Sequence, residues 1–295
     1  MMSRANENRA IARREIEEFE GEGRLALGSE LFAPDYKLTF GGSPATDRAG
    51  HEHMLATFRE GFPDLSIKVA LQVAADDRVA NHWVARGTHR GEFQGIPATG
   101  KAVKLTGNNL MHIEGGRIRA LWGQLDAIGL MGQLGVVPEP PAASAGKTER
   151  TPTPGGPPGG GVEVVRRFIE KFNNGQLDRI DEEFDESYVL DFPGGPTAAG
   201  KAGIRQAASE FRTAFPDLHF SADDLFEESE RVAWRWTMTG THRGKLGPFA
   251  PSGRQVRLPG ISIFALRNGR ITRDHVRADM VGLLAQIGAM PAPQA

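Results

Sequence analysis

Hydrophobic positions in the second half of the chain change from helical spacing to the alternation of strands. The stretches VEVVRRFIEKFNNG and AGKAGIRQAASEFRTAF each place apolar residues on one helix face, and each ends in a stop signal. Four strand-like runs follow, LHFSADDLFEE, RVAWRWTMTGTH, RQVRLPGISIFALR and RITRDHVRAD, and Asn268-Gly269 joins the last two as a hairpin. Helices followed by consecutive strands predict an α+β fold with a curved antiparallel sheet wrapped round helices.

The same pattern occurs twice along the chain. FPDL at 62–65 returns at 215–218, and GTHRG at 87–91 returns at 240–244. The register then holds to the related ends GLMGQLG and GLLAQIG. A period of this length is far too long for a solenoid repeat, so the sequence predicts a duplicated domain.

A stretch rich in proline and glycine separates the two copies. Residues 138–161, PEPPAASAGKTERTPTPGGPPGGG, contain no large apolar side chain. Such a segment cannot bury enough surface to offset its ordering entropy, so we predict a disordered linker. The predicted domains are therefore 1–137 and 162–295.

Composition narrows the chemistry open to these domains. The net charge of −2 lacks the basic excess of a nucleic-acid binder, so DNA and RNA are not expected partners. The chain has no cysteine, which excludes disulfides, thiolate nucleophiles and cysteine-ligated metals. The charged N-terminus does not resemble a signal peptide, and no run has the length of a membrane span. We expect a cytoplasmic protein that does not bind membranes.

Several motifs carry a family resemblance. The element order, FPDL, GTHRGEFQGIPATGK, the GGRI hairpin, WGQLD and the ending QLG resemble the SnoaL-like polyketide cyclases, also called ester cyclases. They belong to the superfamily of ketosteroid isomerase and nuclear transport factor two. The resemblance implies two tandem cone-shaped α+β barrels. It also implies that the copies pair as an intrachain pseudo-dimer, with further homo-oligomers open.

The resemblance also implies a reaction. Such cyclases close a ring by intramolecular aldol condensation of a small apolar ketone or ester, with one Asp as general acid/base, a nearby His, and neither metal nor cofactor. Carried over, the Asp falls on Asp126 and the His on His112. Copy two keeps the acid as Asp279, but Ala265 stands in place of His112, and His275 stands in place of Trp122. His275 and Asp279 are a candidate pair for copy two.

Strand alternation supports the choice of Asp126. In strict alternation, Ile118, Trp122 and Asp126 share one face, which we expect to be the apolar interior. His112 and Asn108 share a face across the Gly115-Gly116 hairpin, so His112 is predicted to lie near the acid. The alternative is that Asp126 is only the N-cap of the helix that follows.

The remaining candidates are expected to bind substrate. They are Trp83, Trp122, His51, His53, Asn108 and Trp236. Trp83 and Trp236 are equivalent strand residues that could equally be core tryptophans. The spacing of His51 and His53 could suit a metal, but no carboxylate pattern accompanies the pair, so no metal site is predicted.

Two other functions remain open from the sequence. One is a barrel that binds a small apolar ligand without turnover. The other is an epoxide hydrolase or dehydratase on the same fold, for which Asp191, Arg273 and Asp279 are the nearest candidates.

Overall fold

The computed structural model describes residues 3–136, 160–194 and 198–290. The chain forms two compact units, one on either side of the interval 137–159. The predicted tandem α+β organisation is confirmed. The predicted linker, 138–161, lies outside the described residues up to position 159, and Gly161 already begins a helix.

The first unit carries its helices before, between and after the strands. In chain order its elements are α1 (Arg4–Arg14), a π-helix (Glu15–Glu20), a 3₁₀-helix (Leu25–Leu27), α2 (Gly28–Leu31), β1 (Phe32–Phe40), α3 (Arg48–Gly61), β2 (Ser66–Ala75), β3 (Arg78–Thr88), β4 (Ala102–Glu114), β5 (Arg117–Leu125) and α4 (Ala127–Leu134).

The second unit repeats this order with a plain first helix. Its elements are α5 (Gly161–Asn173), a 3₁₀-helix (Ile180–Glu183), β6 (Phe184–Asp191), α6 (Gly200–Ala214), β7 (His219–Glu228), β8 (Arg231–Thr241), β9 (Gln255–Arg267), β10 (Arg270–Ala278) and α7 (Met280–Gln286).

The described residues of each unit form one five-stranded sheet. The strand orders are β1-β5-β4-β3-β2 and β6-β10-β9-β8-β7. Consecutive strands form antiparallel hairpins, but β1 pairs with β5 in parallel, and β6 does so with β10. The predicted antiparallel sheet is therefore mixed at this one pair of strands, because the long connection through a helix and three strands returns the chain to the first strand in the same direction.

A β-bulge near the start of the last strand decides which side chains point into each unit. In β5 the register passes from Ile118 opposite Ile113 to Ala120 opposite His112, so Arg119 is extra. In β10 Thr272 is extra in the same way. A bulge reverses the alternation of faces beyond it. Leu121 of β5 therefore lies in the core with Ile118, although strict alternation places them on opposite faces.

Two equivalent tryptophans pack on the core face of the sheets. Trp83 and Trp236 are buried and belong to the two separate hydrophobic cores. Each indole lies against a glycine of the next strand, because a Cβ at Gly107 would stand 2.0 Å from the Trp83 ring and one at Gly260 would stand 2.2 Å from the Trp236 ring. Both rings are thus fixed parts of the core.

Candidate active site

Asp126 and Asp279 lie at the first turns of α4 and α7. The Asp126 side chain accepts a hydrogen bond from the Gly129 amide at 2.7 Å, and Asp279 accepts one from the Gly282 amide at 2.9 Å. Both are N-caps, and for Asp126 this is the alternative that the sequence left open. A capping carboxylate satisfies a helix-end amide whether or not it has a second role.

The structure does not bring His112 close to Asp126. His112 contacts Asp77 in the β2–β3 turn, with Nε2 and the carboxylate 2.8 Å apart. The Asp126 amide instead bonds the Thr106 carbonyl, six positions further back along β4. At strand spacing this separates the two ends by about 20 Å. The prediction that His112 lies near Asp126 is therefore wrong, because six residues of β4 separate them.

The predicted interior face of β5 is the opposite face of the sheet. Trp122 is half-buried and lies across from Leu110, and Asn108 is buried and hydrogen-bonds His82 at 2.8 Å. The residues on the core face are instead Met111 and Leu121. The bulge at Arg119 is the cause, because it moves every later residue of β5 to the other face.

His51 and His53 diverge although they are two residues apart on α3. His51 is fully buried, with Nε2 3.0 Å from Glu20 and Nδ1 3.1 Å from the Tyr36 hydroxyl. His53 is exposed. Positions two apart on a helix point about 200° apart, so the two rings cannot share a ligand.

His275 belongs to an ion-pair group on the outer face of β10. It contacts Asp191 at 3.0 Å, and the buried Arg277 donates to both oxygens of that carboxylate at 3.2 and 3.1 Å. Although burial opposes it, His275 and Arg277 hold the pKa of Asp191 well below its usual range. The candidate pair of His275 with Asp279 is not formed, because Asp279 lies beyond the strand and caps α7.

The second unit contains a buried carboxyl group that strand alternation did not predict. Asp274 is 5% exposed and lies on the core face of β10, opposite Phe264. Burial raises the pKa of Asp274 well above its usual range, and a hydrogen bond from Ser262 opposes that rise. Ser262 in turn accepts the Trp236 indole N–H at 3.3 Å. One oxygen of Asp274, Oδ1, has no hydrogen-bond partner among the described residues.

An unused donor lies on the same face as this acid. The buried Trp234 Nε1 has no acceptor in the described part of the chain. Trp234 on β8 lies opposite Ser262 on β9, and Asp274 on β10 lies opposite Phe264, two residues further along β9. Two strand spacings and two residues therefore separate Trp234 from Asp274, which is about 12 Å between their Cα atoms. A carboxylate that can take a proton and an N–H that can bind an oxyanion therefore share one apolar interior.

The sequence carried a signal for Asp274. The repeat aligns it with Leu121, which is 2% exposed in the core of the first unit. An acid in one copy at the position of a core leucine in the other indicates a buried carboxyl group. Strict alternation hid it, because without the bulge at Thr272 the residue would face outward.

The fold and this interior define an α+β barrel with a carboxyl group inside its core. The model of the SnoaL-like polyketide cyclase family matches residues 10–134 and 162–287. The chain belongs to this family, and it carries the family domain twice.

Individual relatives match one copy at a time. Over 140 residues the chain is 26% identical to the aklanonic acid methyl ester cyclase DnrD of Streptomyces peucetius, covering 45% of this chain and 94% of that protein. Similar solved structures include TsrD of Streptomyces laurentii, at 26% identity over 43% of this chain and 94% of that one, with a TM-score of 0.40. Another is IdmH of Streptomyces antibioticus, at 25% identity, 43% and 98% coverage and a TM-score of 0.39.

No helix in the described ranges is long and apolar enough to cross a membrane.

Proposed function

We propose that this protein is a cofactor-independent cyclase that closes a ring by intramolecular aldol condensation, with an aspartate as general acid/base. The family and the relative DnrD support the cyclase class. The candidate acids are Asp126, Asp279 and Asp274. The single observation that favours Asp274 is its buried carboxyl group with one unpartnered oxygen on the core face of β10.

The reaction needs one group that first takes and then returns a proton. Ionised Asp274 removes a proton from the carbon beside a carbonyl, and the enolate oxygen accepts the Trp234 N–H. The enolate carbon then attacks a second carbonyl of the same molecule, forming the ring C–C bond, and the new alkoxide takes the proton back from Asp274. No atom is lost, so the product is an isomer of the substrate.

The surroundings of Asp274 suit this role. An apolar interior raises the basicity of a carboxylate, and ketosteroid isomerase likewise uses an Asp as its general base. The Ser262 hydroxyl holds one oxygen, so the other oxygen stays directed at the substrate. General acid/base catalysis of this kind contributes about 10²–10⁴ in rate.

The substrate class follows from the family and from DnrD. We propose a polyketide ketone or ester that is small and largely apolar, because Trp234, Trp236 and Phe264 form the interior beside the acid. Aklanonic acid methyl ester, after which DnrD is named, is the first compound to test.

The experiment compares Asp274→Asn with Asp126→Asn and Asp279→Asn in the full chain. Ring closure is measured by chromatography with mass detection, and proton abstraction by solvent deuterium exchange beside the carbonyl. We expect Asp274→Asn to lose about 10²–10⁴ of both rates, whereas the cap variants stay within a few-fold because asparagine also caps helices.

Loss of activity in a well-folded Asp126→Asn variant, with Asp274→Asn active, would assign the chemistry to Asp126 instead. Binding of the ester without exchange or closure in the wild-type chain would favour the ligand-binding alternative.

A further inference from the structure

A second group of buried titratable side chains belongs to the first unit, whereas Asp274 belongs to the second. Glu15 is 0% exposed, Glu20 is 8% exposed and His51 is 0% exposed. One ligand atom from each of the three lies within 4.8 Å of the other two. Buried charges in proteins are paired or bind metals, so this group needs a partner of opposite charge or a shared proton.

The π-helix is what brings the two carboxylates together. On an α-helix, residues five apart point about 140° away from each other. Here the Gly21 amide bonds the Ile16 carbonyl, five residues back, and this wider turn places Glu15 and Glu20 on one side. Single π turns inside helices occur frequently at functional sites.

The second unit shows that the fold does not need this arrangement. Arg59 donates to the Glu20 carbonyl at 2.5 Å, and Arg212 donates to the Phe172 carbonyl at 2.9 Å, so Phe172 takes the place of Glu20. Ile204 takes the place of His51. The helix α5 is a regular α-helix, and both substitutes lie in the apolar core. The polar group and the π turn therefore occur together, in the first unit only among the described residues.

The unpartnered carboxylate of Glu15 is the observation that points to a ligand. Neither of its oxygens has a hydrogen-bond partner among the described residues, although the side chain is fully buried. The group that it faces is Glu20, which is an acceptor like itself. Two carboxylates thus present oxygens to one point, and the third group there is the Nε2 atom of His51, 3.0 Å from Glu20.

We propose that Glu15, Glu20 and His51 form a buried binding site for a divalent first-row metal ion. Two carboxylates and one imidazole are a donor set that such ions accept, and a charge of +2 balances the two carboxylates. Metal–ligand distances near 2.0–2.2 Å keep ligand atoms within about 4.4 Å of each other, so the three groups need to move by only a few tenths of an ångström.

Tyr36 acts on His51 from the far side of the ring. Its hydroxyl is 3.1 Å from Nδ1, which leaves Nε2 directed at the carboxylates. Metal-binding histidines commonly use their second nitrogen in this way, and loss of the outer contact typically weakens binding tenfold to a hundredfold. Tyr36 is thus a positioning residue. Because the site is buried, the ion is a stabilising component of the first unit, separate from the chemistry proposed at Asp274.

The test is titration of the full chain with the metals themselves. The protein is unfolded with chelator, refolded without metal, and mixed with Zn²⁺, Mn²⁺ or Co²⁺ during and after refolding. We expect one tightly bound ion per chain, seen by elemental analysis and calorimetry, and a ligand-field spectrum for Co²⁺. Glu15→Gln and His51→Gln should weaken binding by more than a hundredfold, and Tyr36→Phe by tenfold to a hundredfold.

His53→Gln is the matched control, because His53 lies two residues from His51 and is exposed. Glu18→Gln is the control on the π-helix, since Glu18 forms ion pairs with Arg14 and Arg24 at the surface. Both should bind the ion as the wild type does. The proposal is overturned if the wild-type chain binds no stoichiometric ion, which would mean that the two carboxylates share a proton. It is also overturned if binding survives Glu15→Gln and His51→Gln.

Discussion

At the scale of single residues, the ionised form of Asp274 lowers the stability of the fold relative to the protonated form. Burial raises its pKa well above the ordinary value of 3.8. For a group with a raised folded-state pKa, the stabilisation is complete below the unfolded pKa and is lost as the pH rises towards the folded pKa. The second unit should therefore lose stability as the pH rises from about 4.

The variant Asp274→Asn removes this dependence. We expect the free energy of unfolding of the variant, relative to wild type, to increase with pH by up to about 1.4 kcal/mol per unit until the folded pKa is reached. Urea unfolding at several pH values measures the difference, and Asp178→Asn at an exposed position is the control. A flat difference for Asp274→Asn would show that the carboxyl group is not desolvated.

At the scale of elements, the two terminal helices depend on their caps. Asp126 and Asp279 each satisfy an amide in the first turn, at Gly129 and Gly282. We expect Asp126→Ala and Asp279→Ala each to lower the free energy of unfolding by about 0.5–2 kcal/mol, and the asparagine variants to change it little. Equal losses for alanine and asparagine, measured by thermal melts, would contradict a simple capping role.

The contact of each core tryptophan with a glycine gives a second prediction for the strands. A Cβ at position 260 would stand 2.2 Å from the Trp236 ring, so Gly260→Ala forces the indole or β9 to move. We expect a loss of about 1–3 kcal/mol in the free energy of unfolding, as for other overpacked cores. Combining Gly260→Ala with Trp236→Phe should recover part of that loss in urea titrations. If the losses of the two single variants simply add in the double variant, the contact is not the cause.

The elements also show what can be predicted from sequence. The helices, hairpins and tandem copies followed from periodicity, Asn268-Gly269 and repeated motifs such as FPDL. The faces of β5 and β10 did not, because one inserted residue, Arg119 or Thr272, reverses every later position. For this reason Trp122 was expected inside the unit, and Asp274 was missed. The closeness of Glu15, Glu20 and His51 depends on a π turn that no periodicity signals.

At the scale of the whole molecule, two copies of one fold have different interiors. Leu121 in the first corresponds to Asp274 in the second, and Ile204 in the second corresponds to His51 in the first. Each exchange places a titratable group in one copy and an apolar side chain in the other. The core of the second unit therefore carries a buried carboxyl group on its sheet, whereas the first unit carries its buried polar group on its helices.

This divergence predicts that ring closure and metal binding belong to different halves of the chain. Across 3–136, 160–194 and 198–290, the buried hydrophobic residues form two clusters, and each cluster lies entirely within one unit. We therefore expect 1–137 and 162–295, produced separately, each to unfold cooperatively in urea. Ring closure should remain with 162–295, which contains Asp274, and divalent metal binding with 1–137, which contains Glu15. Ring closure by 1–137 alone would instead move the chemistry to the first copy and make the cap Asp126 its acid.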